Sequence, residues 1–182
     1  NIISPALDKR VAKVVADDVS VGFAVNATDP DGVGAVSRIE LLRDGDSPIV
    51  VDDVNARTIG GLLSDATYTL KVTYTYDLND GKGAQNIVAI SQFETTAKNA
   101  PTVELVDVVA GQSDVTFGVE TVDKDNVGRI SAVELLRENA AVATMDGNAR
   151  KFTNLLSDTR YTLRVTYSYN VNDGKGERTV CA

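Results

Sequence analysis

The sequence predicts an all-β protein of two tandem antiparallel β-sandwich domains, residues 1–97 and 98–182. Three observations predict it. Long blocks of the chain occur twice, at a spacing of roughly 93 residues, which is the size of a small domain and far too long for a solenoid repeat. Each copy is a run of short alternating stretches broken by turn residues, and no stretch keeps a helical period. Many short strands with no helices between them make a sandwich.

The repetition is close. Asn55-Ala56-Arg57 returns as Asn148-Ala149-Arg150, and Leu62-Leu63-Ser64-Asp65 as Leu155-Leu156-Ser157-Asp158. Tyr68 to Tyr76 (YTLKVTYTY) returns as Tyr161 to Tyr169 (YTLRVTYSY), and Asn79-Asp80-Gly81-Lys82-Gly83 as Asn172-Asp173-Gly174-Lys175-Gly176. Asp29 matches Asp123 at an offset of 94, whereas Tyr68 matches Tyr161 at 93. One residue is therefore lost between Arg137 and Asn148, a stretch that reads as loop, where deletions are cheapest.

Taken in order, Val19, Val21, Phe23 and Val25 alternate with small or polar residues, as in a half-buried strand. Asp29-Pro30-Asp31-Gly32 breaks the chain, a strand follows from about Ala35 to Arg43, and Asp44-Gly45 ends it. Short extended pieces come at Ile49-Val51 and Ala56-Ile59. The clearest strand is Thr67–Tyr76, with Tyr68, Leu70, Val72, Tyr74 and Tyr76 on one face. Asp80-Gly81 leads into a last strand from about Ala84 to Thr95. The second repeat follows the same order through Val115, Phe117 and Val119, the break at Asp123-Lys124-Asp125-Asn126, then Ile130 to Arg137 and Tyr161 to Tyr169. Ala182 aligns with Ala89, so the second copy of the last strand is expected to be truncated, leaving its neighbour's edge open. Thr95 to Pro101 reads as a short linker whose proline limits its freedom, which predicts roughly collinear domains.

Composition excludes several functions. A net charge of −8 offers no basic face to nucleic acid or to an anionic membrane. No apolar run approaches the ~20 residues of a membrane span. With no histidine, no Ser-His or Cys-His nucleophile exists and no His-ligated zinc site. The chain reads as non-catalytic. The single Cys181 permits no intrachain disulfide; its match, Val88, suggests a small buried hydrophobe.

A family likeness lies before and along the strongest strand. Gly61-Leu62-Leu63-Ser64-Asp65-Ala66-Thr67-Tyr68 and Asn154-Leu155-Leu156-Ser157-Asp158-Thr159-Arg160-Tyr161 resemble the E–F corner of fibronectin type III domains, where a Leu precedes by six positions a Tyr whose hydroxyl bonds back to nearby backbone. Ala100-Pro101-Thr102 resembles the opening of such a module. The core Trp usual in the family is replaced by Phe23 and Phe117, and a third-strand aromatic by Ile39 and Val133, so a bacterial immunoglobulin-like module fits as well. The resemblance implies tandem modules of secreted or cell-surface proteins. Spacer or adhesive work in a larger extracellular protein follows from it, with neighbouring domains of the same polypeptide as partners. A surface protein or a glycan is a further candidate partner. Lack of disulfides with abundant Thr, Val and Asp suggests a bacterial or phage source.

Four motifs bear on sites. Asp123-x-Asp125-x-Val127-Gly128-x-Ile130-x-x-x-Glu134, and its copy from Asp29 through Asp31 to Glu40, fit much of the EF-hand loop pattern. The reading fails because the flanks are strands, the fifth position is Val, and the Glu lies too far along an extended chain. A looser calcium site using Asp29, Asp31, Asp123, Asp125 and Asp173 survives as the one candidate cofactor. If the domains stack, Asp123, Asp125 and Asp173 approach Asp17, Asp18, Asp44 and Asp65, and calcium would stiffen the junction at ~10⁻⁴–10⁻³ M affinity. The Asn-Asp-Gly-Lys-Gly loops are hairpin turns rather than phosphate cradles, since no helix follows them. Glycan binding needs an exposed aromatic platform, and only Tyr76 and Tyr169 read as spare. A calcium-stiffened or glycan-binding accessory module of a secreted enzyme or adhesin is the alternative to the spacer.

Overall fold

The computed structural model describes residues 2–182. The chain folds as two compact units, Asn1–Ala97 and Lys98–Ala182. No helix forms among the described residues, so none is long and apolar enough to cross a membrane.

The first unit runs β1 (Ala6–Leu7), β2 (Ala12–Ala16), β3 (Val21–Ala24), β4 (Ala27–Thr28), β5 (Gly34–Leu42), β6 (Ile49–Val51), β7 (Thr58–Ile59), β8 (Thr67–Tyr76) and β9 (Gln85–Glu94). A sheet ordered β2-β3-β7 and another ordered β6-β5-β8-β9 are antiparallel throughout, and β1 pairs separately with β4. Val21 and Phe23 from one sheet and Ile39, Leu41, Leu70, Val72 and Tyr74 from the other fill the space between them. The period of two in β8 produces this: Tyr68, Leu70, Val72 and Tyr74 are buried, and the residues between them are partly exposed.

The second unit repeats the plan with β10 (Thr102–Ala110), β11 (Asp114–Val122), β12 (Gly128–Arg137), β13 (Ala140–Met145), β14 (Lys151–Thr153), β15 (Thr162–Tyr169) and β16 (Arg178–Cys181). Its sheets are ordered β10-β11-β14 and β13-β12-β15-β16 around Val115, Phe117, Val133, Leu135, Phe152, Val165 and Tyr167. Even the irregularities are copied. β5 bulges between Val36 and Arg38 and β12 between Ile130 and Ala132. The serine inside each bulge donates its hydroxyl to a carbonyl of the next strand: Ser37 to Thr73 at 3.3 Å, Ser131 to Thr166 at 3.2 Å.

Two expectations need correction. The stretch after Arg137 is strand rather than loop. Arg137 and Ala140 pair across a two-residue turn in which Glu138 and Asn139 both have positive φ, 51° and 67°, as a tight hairpin requires. β13 reaches six residues, against three in β6. Cys181 is exposed, not buried. On β16 the alternation turns Val180 onto the core and Cys181 outward, and Val88 is likewise on the outer face at 36% exposure.

Candidate functional site

The acidic loops resolve into hydrogen bonds that the fold needs. Asp29 closes the turn before β5: its Oδ1 accepts from the Val33 N–H at 3.2 Å and its Oδ2 from the Gly34 N–H at 2.8 Å. The same Oδ2 accepts the Tyr74 hydroxyl at 2.8 Å. Asp123 repeats this with Val127 at 3.0 Å, Gly128 at 3.0 Å and the Tyr167 hydroxyl at 2.8 Å. Chemistry explains the choice of Asp. A short anionic side chain satisfies backbone N–H groups further along its own loop and still reaches a phenol on the facing strand.

The charges respond accordingly. Partial desolvation pushes the Asp29 and Asp123 carboxyls up, but their hydrogen bonds prevail and hold both below the ordinary aspartate value. Burial, and then the facing carboxylate, push the Tyr167 phenol up to about 12. Tyr74 moves in the same direction for the same reasons.

The other predicted metal ligands are also occupied. Asp31 accepts from the Ile3 N–H at 2.8 Å. Asp125 accepts the backbone and side-chain N–H groups of Asn99 at 2.6 and 2.9 Å, which lower its carboxyl. Asp173 accepts from the Lys175 N–H at 3.1 Å and from Arg178 at 2.8 Å. Its carboxyl lies below the ordinary value because these partners outweigh its desolvation. Among the described residues, no three acidic or thiol side chains converge as a metal site. Within either domain the five aspartates are brought together at most in pairs along one loop.

The corner tyrosines sit where the resemblance places them. The Tyr68 hydroxyl accepts from the Leu63 N–H at 3.0 Å and the Tyr161 hydroxyl from the Leu156 N–H at 3.2 Å. Phe23, Phe117, Tyr74, Tyr167 and Phe152 are buried. Phe93 is half-buried and stacks on Tyr68, ring centroids 5.6 Å apart. Tyr76 and Tyr169 are half-buried as well: Tyr76 donates to Gln85 Oε1 at 3.1 Å, and the Arg178 guanidinium lies over the Tyr169 ring at 5.6 Å. Neither forms a flat open platform for a sugar.

Sequence reasoning missed the Asp–Tyr link, and one signal could have found it. Asp-x-x-x-Val-Gly and the tyrosine third from the end of the long strand, Tyr74 or Tyr167, are both retained in each repeat. It also missed a concavity of about 860 Å³ in the second domain, lined by Leu105, Val108, Leu155, Leu156, Tyr161 and Leu163 among others.

No family model and no curated protein sequence matches the chain. Solved structures of fibronectin modules are similar to it. The fibronectin(III)-like modules of Clostridium thermocellum CbhA are 19% identical over 98% of this chain and 92% of that one, with a TM-score of 0.29. The FN1–FN3 domains of chicken CNTN1 are 15% identical over all of this chain, which spans 64% of theirs, at a TM-score of 0.31. The central fibronectin-III array of RIM-binding protein is 13% identical over 97% of this chain and 67% of that chain, at a TM-score of 0.26.

Proposed function

We propose that the chain is a pair of non-catalytic structural modules, acting as a spacer or adhesive element within a longer extracellular or cell-surface protein. One observation carries this reading: what the two repeats share is architecture. The residues retained between them are the Asp–Tyr pairs that close the loops, the corner tyrosines, the bulge serines and the glycines of the Asn-Asp-Gly-Lys-Gly turns, where Gly81 and Gly174 have φ of 81° and 82°. Glu40 and Glu134 belong to the same set, each paired with a cation on the facing strand, Lys71 at 3.4 Å and Arg164 at 2.7 Å. A duty common to both domains is therefore to fold and hold length. The fibronectin-like corner supports a place outside the cell, and the acidic, histidine-free surface supports the absence of a nucleophilic centre.

Single-molecule stretching and a glycan array test it together. A spacer gives two separate unfolding events, each releasing on the order of 30 nm of chain at ~3.3–3.6 Å per residue, and no saturable glycan binding. Saturable binding of one glycan class would move the assignment to the binding-module alternative.

A further inference from the structure

The two domains guard the same sheet edge differently. β6 is the edge strand of the first domain's four-stranded sheet, and β13 holds the matching edge in the second. Both strands lie in the middle of their domains, at the edge away from the last strand. β6 has three residues, preceded by Asp46 and Pro48 and followed by Asp52 and Asp53, and brevity, proline and charge all discourage pairing. β13 has neither the brevity, the proline nor the charge. It runs Ala140-Ala141-Val142-Ala143-Thr144-Met145. All but Ala143 are exposed, Val142 at 50% and Met145 at 41%. Among the described residues, no strand pairs with its outer side.

The backbone restricts what can pair there. Arg137 and Ala140 close the tight turn and bond to each other, so alternation turns the N–H and C=O of Ala141 outward. The register shift between Leu135 and Leu136 leaves Val142 as the extra residue of a bulge. Beyond it Ala143 and Met145 bond to β12, and Thr144 again points outward. The outward residues are thus three apart instead of two. A regular strand offers its groups at every second residue and cannot meet both. An identical strand carries the same bulge and can. Run antiparallel about a two-fold axis, Ala141 of each copy faces Thr144 of the other. That register also suits the side chains: Ala140 faces Met145 and Ala143 faces Val142, so each larger side chain lies opposite an alanine. No like charges meet along the strand, and at its ends Asn139 faces Asp146, amide against carboxylate.

We infer that β13 is a homotypic contact, through which the second domain pairs edge to edge with a second copy of this chain. Ala141 and Thr144 exchange N–H···O=C bonds across the axis, and the two four-stranded sheets become continuous. The contact is isologous, so it uses both copies of the edge and closes at a dimer. Its strip is narrow, short of the ~1,200 Å² that stable interfaces bury, so isolated chains pair weakly. A surface that holds many copies side by side strengthens the pairing through effective concentration. This contact stands whether the pair serves as spacer or as adhesin.

Sedimentation of the 182-residue chain from about 10 µM to about 1 mM, a range suited to a small interface, tests it together with amide exchange. A reversible monomer–dimer equilibrium is expected, with protection at Ala141 and Thr144 rising with concentration. T144P removes an outward donor that the domain itself does not use, so the second domain should keep its melting temperature and the dimer should be lost. The double variant A141K/T144E sets Lys against Glu on both sides of the axis. It should dimerise about two- to tenfold more tightly than either single variant, and it carries the test should T144P fail to fold. A chain that stays monomeric throughout overturns the inference. So does a dimer that survives T144P in a folded domain, a double variant no tighter than the single ones, or protection that rises on β15 instead of β13.

Discussion

The Tyr167 hydroxyl donates a 2.8 Å hydrogen bond to Asp123 Oδ2, which also accepts the Gly128 N–H. One carboxylate thus ties a core phenol to the start of β12, and Asp29 with Tyr74 does the same at β5. Asp123→Ala leaves the buried Tyr167 hydroxyl without its acceptor. We expect a loss of ~1–3 kcal/mol in denaturant melts, and Asp123→Asn should lose less because its amide oxygen still accepts.

The same pair sets two pH limits. The Asp123 carboxyl is depressed in the folded state, so its contribution is present above the unfolded value near ~3.9 and is lost as pH falls below it. The Tyr167 phenol is raised to about 12, so its contribution is present below an unfolded value near ~10 and is lost as pH climbs towards 12. Ultraviolet titration of the folded chain should show Tyr167 and Tyr74 titrating late, and D123N should bring the Tyr167 step down. A Tyr167 step unmoved by D123N would contradict the assignment.

The two corner tyrosines should differ. Tyr68→Phe deprives the Leu63 N–H of its acceptor beneath the cover of Phe93, and should cost ~1–3 kcal/mol. Tyr161→Phe should cost less, because Leu156 is 59% exposed and its N–H can bond water instead. Equal losses in urea melts would mean the second corner is as dry as the first.

Gly34 lies against the facing strand. A Cβ there would meet Tyr74 Cε1 at 2.5 Å, Tyr76 Cβ at 2.7 Å and the Thr75 carbonyl at 2.8 Å. Gly128 stands in the same relation to Tyr167 and Tyr169. Alanine at either position should destabilise its domain by ~1–3 kcal/mol or more through overpacking, with the other domain's transition unchanged.

Calcium should leave the melts unchanged. Asp29, Asp31, Asp123, Asp125 and Asp173 each already accept hydrogen bonds from N–H or guanidinium groups, and a cation would have to displace them. Melting curves with millimolar calcium and with chelator are expected to superimpose. A shift of several degrees would restore the acidic loops as a metal site.

Much of the fold was legible because β8 and β15 alternate so cleanly that one face had to be core. β13 was not legible: Glu138-Asn139 is no Asn-Gly, and positive φ at a glutamate carries no compositional signal. Cys181 misled because period two cannot say which face of an edge strand is wet. The acids of the candidate site were visible, but their purpose was not, since Asp29 and Asp123 find their phenols 45 and 44 residues away.

Amide hydrogen exchange at Val72 and Val165 tests most directly the claim that these are two copies of one sandwich. These residues are repeat partners on β8 and β15, both fully buried, and each faces the last strand of its domain, Val72 opposite Ala89 and Val165 bonded to Ala182. We predict strong protection at both, approaching that of global unfolding of their domains. Fast exchange at either amide would contradict the account.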